Sequence, residues 1–323
     1  MVADHTEVAG VEAISFPRAV RGPPENRCHA PRDDLGSPRP VEAKENEVPG
    51  GAIIMSLEGD APLGVADHGA VRRLTLRDVK RRNALSERML AALAAALDAA
   101  AADPAVRGVV LAADGPAFSA GHDLKELSAR RADDDGGRAY FEALMATCSS
   151  VMQAIVRLPK PVIAEVAGIA TAAGCQLVAS CDLALAGASA RFCTPGVNIG
   201  LFCSTPLVAL SRNVSRKHAM EMLLTGEPIG AERAAAIGLV NRVVADDVLT
   251  EETMALAATI AEKSGRTLAI GKEAFYAQAE MPLAEAYAHA SAVMTANMME
   301  ADACEGIAAF LEKRNPLWQE RDR

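Results

Sequence analysis

Aromatic residues are scarce in this chain: one Trp, three Tyr and seven Phe among 323 residues, or 3%. The core must therefore be built from Ala, Leu, Val, Ile and Met, and a hydrophobic content of 50% supplies enough for one or two domains. Positive charge is short as well. Thirty-three Lys and Arg against 42 Asp and Glu leave a formal charge of −9, which argues against nucleic acid or an anionic membrane as a partner. A small anionic ligand in a local basic pocket stays compatible with that balance. No apolar run is long enough to span a bilayer, since the alanine tract from Ala91 to Ala102 is interrupted by Asp98 and follows a helical period. The first twenty residues contain Asp4, Glu7 and Glu12 and no apolar stretch, so they resemble neither a secretory signal nor an Arg-rich presequence. CxxC pairs and zinc-type spacings are absent from the seven cysteines, at 28, 148, 175, 181, 193, 203 and 304. The expectation is reduced, mostly packed thiols in a cytoplasmic protein. Histidines 68, 218 and 289 show no ligand spacing, and no metal site is expected.

What is present falls into three parts: a disordered extension over 1–54, a core over 55–248 and a helical region over 249–323. Pro, Gly and mixed charge dominate from Pro17 to Gly51 without periodicity, which gives the disorder. Met55 is a candidate start. From Val71 onward strands and helices alternate. Strands are expected at Val71–Leu76, Gly108–Ala113, Val162–Val166, Leu183–Ala186 and Val240–Val244. Helices open at Ser86 and near Tyr140, Ser215 and Ala231, with Gly226 and Gly238 as C-caps. Thr205-Pro206 reads as an N-cap and first helical residue. Four helical stretches near 250–264, 267–279, 283–299 and 302–313 follow, so the fold class is α/β with a helical C-terminal part.

Two loops carry chemistry. Phe118-Ser119-Ala120-Gly121-His122-Asp123-Leu124-Lys125 follows a buried strand, and its small residues let backbone approach a ligand. Val162 to Gln176 reads as a strand, a tight turn and the start of a helix, whose first N–H groups are unpaired and partly positive. Two amides from separate loops converging on one carbonyl oxygen make an oxyanion hole, and a thioester is its natural client.

The Phe118–Leu124 motif, followed some fifty residues later by Ala-Thr-Ala-Ala-Gly-Cys-Gln-Leu and Cys181-Asp182-Leu183, resembles the enoyl-CoA hydratase/isomerase (crotonase) family. The resemblance runs from about Val71 to Trp318. It implies a crotonase-like ββα spiral whose C-terminal helices build homotrimers or dimers of trimers, and it offers mitochondria as the alternative compartment. Carried over by position, the oxyanion donors fall on the backbone amides of His122 and Ala173, and coenzyme A lies against Ala120, Gly121, His122 and Asp123 with Lys125 near its nucleotide. Coenzyme A enters as part of an acyl-CoA thioester substrate, and no other cofactor is implied. The two catalytic glutamates of the hydratases fall on Gln176 and Gly196. An amide cannot carry a proton and a glycine has no side chain, so hydratase activity is expected to be poor or missing. The expectation is an acyl-CoA-binding protein of fatty acid metabolism, or alternatively a non-catalytic binder or regulator.

Rival readings stand beside these. Gln176 lines the site or merely fills space; the His122 ring is a base or a bystander to its own amide. Asp123 ties down its loop, and Lys125 is a phosphate contact or a solvated cation. Cys203, Ser204 and Thr205 lack a partnering base, which favours Thr205 as a cap. Methionines 281, 294, 298 and 299 suit helix packing, with self-association as the sharper version.

Overall fold

Each long apolar strand in this chain is followed by a short second one, and the pair feeds a helix. The structure, a computed structural model, describes residues 61–319; the expected extension over 1–54 and Met55 lie outside them. β1 (Leu63–His68) and β2 (Val71–Leu76) form an antiparallel hairpin. α1 (Glu87–Ala102) follows, with the Ser86 hydroxyl accepting from the Met89 amide as its N-cap. A unit then repeats. β3 (Gly108–Ala113) joins a large sheet, β4 (Ala117–Ser119) joins a small one, and α2 (Leu124–Ala129) and α3 (Arg138–Arg157) come next. β5 (Val162–Val166), β6 (Ile169–Thr171) and α4 (Ala173–Ser180) repeat it, as do β7 (Leu183–Gly187), β8 (Arg191–Cys193) and α5 (Pro206–Asn213). α6 (Arg216–Thr225), β9 (Ile229–Gly230), α7 (Ala231–Ala236) and β10 (Arg242–Val244) complete the body.

The large sheet has the order β1-β2-β3-β5-β7-β10 and is parallel from β2 onward; the small sheet has the order β4-β6-β8-β9, its first three strands parallel. Two strands and a helix per turn, one strand to each sheet, make the ββα spiral that the resemblance implied. β3 and β5 are covered on both faces and so read as unbroken apolar runs. One face packs against α1, through Met89, Leu90, Leu93 and Leu97, and against α3, through Leu144, Cys148, Val151 and Ile155. α3 is long and apolar enough to cross a membrane by length and composition, yet this stripe of it lies in the main core. The other face is covered by α8 (Leu249–Ala261), whose Leu249, Ala257 and Ala261 meet Val110, Ile163 and Leu185.

Three details depart from the sequence reading. β1, β4, β6, β8 and β9 were not foreseen; the last four are only two or three residues each, too short for a period-2 pattern. Thr205 is not a side-chain cap: its backbone is already helical (φ −77°, ψ −41°), because the Leu207 amide reaches back to the Cys203 carbonyl and starts the turn earlier. Packing within the chain does not account for the C-terminal methionines. α10 (Leu283–Met298) buries none of its residues, and Leu283, Tyr287 and Met294 are 75%, 69% and 64% exposed. Gly226 and Gly238 do close their helices, at φ +64° and +88°.

α9 (Gly265–Gln278) is moored to the body by one carboxylate, while α11 (Ala301–Glu312) packs beside it. Asp182 accepts from the Val162 amide (2.7 Å), Lys272 Nζ (2.6 Å) and the Tyr276 hydroxyl (2.9 Å). Lys272 also donates to the carbonyls of Ile155 and Lys160. Burial pulls the Lys272 ammonium below the ordinary lysine range, with Asp182 opposing, and burial raises the Tyr276 phenol. Removing the cation strands a desolvated carboxylate, so Lys272→Met should cost about 3 kcal/mol of unfolding free energy in urea titrations; a cost under about 0.5 kcal/mol would mean the mooring is idle.

Candidate active site

Because β4, β6 and β8 run parallel side by side, the segments after their C-terminal ends must share one neighbourhood. Those segments are Ala120–Asp123, Ala172–Gln176 and Thr194–Gly196. The first two touch backbone to backbone. Gly121 has φ +79°, and a Cβ on it would lie 3.0 Å from the Thr171 carbonyl oxygen and 3.1 Å from the Ala173 amide nitrogen. A Cβ on Gly174 would lie 2.3 Å from the Ser119 carbonyl oxygen, where no side chain fits.

An inner clamp sets the first loop. Arg82 and Asn83 adopt left-handed backbone (φ +53° and +52°), a conformation that Asn tolerates well. Asn83 is fully buried, and its Nδ2 donates to the carbonyls of Asp114 (2.9 Å) and Ala117 (2.8 Å). Its own carbonyl accepts from Ser119 Oγ at 2.8 Å, and that oxygen accepts from the Gly121 amide at 3.3 Å. The Leu85 amide donates to the Gly121 carbonyl at 2.7 Å. Sequence reasoning missed Asn83; the available signal was an Asn three residues ahead of the Ser86 cap. Asp123 ties down the same loop, accepting from the amides of Lys125 (2.9 Å) and Glu126 (3.4 Å), with Arg81 Nη1 at 3.6 Å. Lys125 is exposed on α2.

The second loop is strained. Ala172 has φ +50° and ψ −118°, and its amide is fixed on the Cys193 carbonyl at 2.9 Å. That turn presents the Ala173 amide as the first N–H of α4. Neither this amide nor that of His122 has an acceptor among the described residues. His122 Nδ1 lies 3.2 Å from the Leu85 carbonyl, which can only accept, so the ring proton sits on Nδ1. Nε2 is then a bare lone pair, buried and without a partner. Burial lowers the His122 pKa below the ordinary imidazole value, against the Leu85 hydrogen bond.

The two positions onto which the resemblance carried the glutamates, 176 and 196, differ. Gln176 is 5% exposed and its Oε1 has no partner; Thr194, wholly buried, likewise has an unpartnered hydroxyl. Gly196 has no vacancy beside it. A Cβ there would lie 2.7 Å from the Leu201 carbonyl oxygen and 3.0 Å from Cys203 Sγ, so the chain has folded into the space of a side chain. Burial raises the thiol pKa values of Cys193 and Cys203 and pushes Cys175 up to about 12, leaving protonated thiols that are poor nucleophiles. Among the described residues no three His, Cys, Asp or Glu side chains cluster as metal ligands. A cavity of about 740 Å³ between the N-terminal strand ends and α9 and α11, lined by Arg107, Lys160 and Trp318, contains no residue of the segments 120–123, 172–176 and 194–196.

The spiral, the two apposed loops and the motif along them define a class. The chain belongs to the enoyl-CoA hydratase/isomerase family, whose profile matches residues 67–321. Among its relatives is the enoyl-CoA hydratase domain-containing protein 3, mitochondrial, of Mus musculus, 48% identical over 248 residues, which are 77% of this chain and 81% of the relative. The Homo sapiens protein of that name is 47% identical over 257 residues, 80% and 83% of the two chains. The crystal structure of the human protein matches with a TM-score of 0.76 at 47% identity, over 80% of this chain and all of the other (100%). An enoyl-CoA hydratase from Mycobacterium smegmatis has a TM-score of 0.76 at 55% identity, covering 80% and 99%. The cytoplasmic placement expected from the thiols finds no support in the names of the mouse and human relatives.

Two outcomes follow from this geometry. Gly174→Ala should destabilise the fold by about 3 kcal/mol, because the methyl meets backbone rather than a yielding side chain, as chemical denaturation would register; a cost below about 1 kcal/mol would contradict the contact. The second concerns pH. Between the unfolded imidazole value of about 6.5 and the lower folded one, the unfolded chain binds the extra proton, so His122 makes stability fall as pH drops. Unfolding free energies of the wild type and His122→Gln, compared from pH 7.5 to pH 5, should show the wild type losing more; parallel curves would refute it.

Proposed function

We propose that this chain binds an acyl-CoA thioester with the acyl oxygen between the backbone amides of His122 and Ala173, as a protein of fatty acid and acyl-CoA metabolism. The observation that carries this reading is the pair of amides without acceptors on loops pressed together at Gly121 and Gly174. Each such donor is worth about 3–4 kcal/mol toward an oxyanion in a dry site. Coenzyme A runs along Ala120, Gly121 and Asp123, and Lys125, exposed at the start of α2, meets its phosphates. Coenzyme A is then part of the substrate, and the chain needs no further cofactor.

Hydration is not the activity this site favours. Water addition takes one proton from water and delivers another to carbon, and positioned acid–base groups contribute about 10²–10⁴-fold. Gln176 offers an amide, and Gly196 faces the Leu201 carbonyl. The filled space at Gly196 also favours a second reading, a non-catalytic acyl-CoA-binding or regulatory protein. The exposed apolar face of α10 supports self-association into trimers or dimers of trimers. The mitochondrial names of the vertebrate relatives favour the mitochondrial compartment over the cytoplasm.

Calorimetry with crotonyl-CoA should register binding that exceeds that of free coenzyme A; equal affinities would remove the acyl site. Hydration of crotonyl-CoA by the native chain should run at least about 10²-fold below a hydratase that carries both glutamates. Gln176→Glu should raise it, whereas Gly196→Glu should lower stability without restoring turnover, since it must displace the Leu201 carbonyl. Native turnover at the ordinary hydratase level would overturn this reading.

A further inference from the structure

We propose that the imidazole Nε2 of His122 is a proton acceptor for the α-carbon of the bound thioester, giving the chain a one-base proton-transfer activity. The inference rests on the binding reading above and adds a residue to it. Three observations converge. The Leu85 carbonyl fixes the proton on Nδ1, so the nitrogen left facing away from Leu85 is the basic one. That Nε2 is buried without a partner, and an unpaired polar atom costs about 1–3 kcal/mol unless a ligand satisfies it. The ring also hangs from the residue whose amide the binding reading places on the acyl oxygen, one residue after Gly121, which lies against the Ala173 amide.

The step balances on its own. Nε2 takes the α-proton and becomes an imidazolium; the C–H electron pair forms the Cα–C double bond of an enolate, whose oxygen charge rests on the two amides. Return of the proton to the α-carbon gives exchange with solvent. With a β,γ-unsaturated acyl group, return to the γ-carbon moves the double bond into conjugation. Neither outcome needs a water nucleophile or a second acid. Gln176 cannot take the proton, since its buried Oε1 can only accept a hydrogen bond. The neutral ground state that a base requires is the one that burial of this ring favours.

The probe is but-3-enoyl-CoA incubated with the full chain in D₂O, followed by mass spectrometry for deuterium and for conversion to crotonyl-CoA. Both should occur with the wild type. His122→Gln and His122→Asn keep the backbone amide, and with butyryl-CoA at a concentration that calorimetry shows to be saturating for each variant, exchange should fall by about 10² or more. The wild-type exchange rate should also fall as pH drops and the ring takes a proton. Binding of butyryl-CoA without exchange by the wild type, or exchange that survives in both folded variants, overturns the role of His122 and leaves the binding reading intact. Failure of the wild type to bind butyryl-CoA more tightly than free coenzyme A overturns both.

Discussion

The site depends on one close contact between two stretches of backbone. β4 and β6 are parallel neighbours, and the loops leaving them meet with no side chain between, at Gly121 against Thr171 and Ala173, and at Gly174 against Ser119. Any Cβ at Gly174 would push the loops apart, and with them the amides of His122 and Ala173. The rest of the neighbourhood serves that contact. Asn83 pins the first loop from below, Asp123 caps the helix behind it, and the Cys193 carbonyl holds Ala172 in a backbone conformation that a non-glycine residue adopts at a cost of about 1–3 kcal/mol.

Much of the scaffold was legible because it obeys simple periodicities. β3 and β5, buried on both faces, show as continuous apolar runs, and the α1 stripe of Met89, Leu93 and Leu97 repeats at the helical period behind a serine cap. The two loops were legible as motifs. The strands of the small sheet were not, since three residues cannot display alternation, and yet those strands set the loops side by side. Asn83 was hidden for another reason: its role is a set of hydrogen bonds to carbonyls more than thirty residues away, which leaves no local pattern. The filled space at Gly196 is equally invisible in one dimension. A glycine in the sequence reads as an open position, whereas in three dimensions the Leu201 carbonyl and the Cys203 thiol occupy the place of a side chain.

Of the six buried side-chain atoms without a partner among the described residues, His122 Nε2, Gln176 Oε1 and Thr194 Oγ1 follow the ends of three adjacent strands, with Asn83 Oδ1 under the first loop, and His289 Nε2 and Asn297 Nδ2 lie on α10. Glu165, Asp182 and Asp302, buried or nearly so elsewhere, are each met by donors. Buried groups left unsatisfied lower stability, so a cluster of them suits a surface completed by a ligand. In the C-terminal part, α9 is moored through Lys272 and Asp182 while α10 holds its apolar face outward, an arrangement that leaves apolar area for another molecule to cover.

The central claim is that the amides of His122 and Ala173 grip a thioester oxygen. Infrared difference spectroscopy of butyryl-CoA carrying a ¹³C label at the thioester carbonyl reads that grip directly, since hydrogen bonds to the oxygen weaken the C=O bond. A bound ligand whose labelled carbonyl band moves to lower frequency than in water is the predicted result. A carbonyl that binds with its band unmoved, or moved upward as in an apolar pocket, would contradict it.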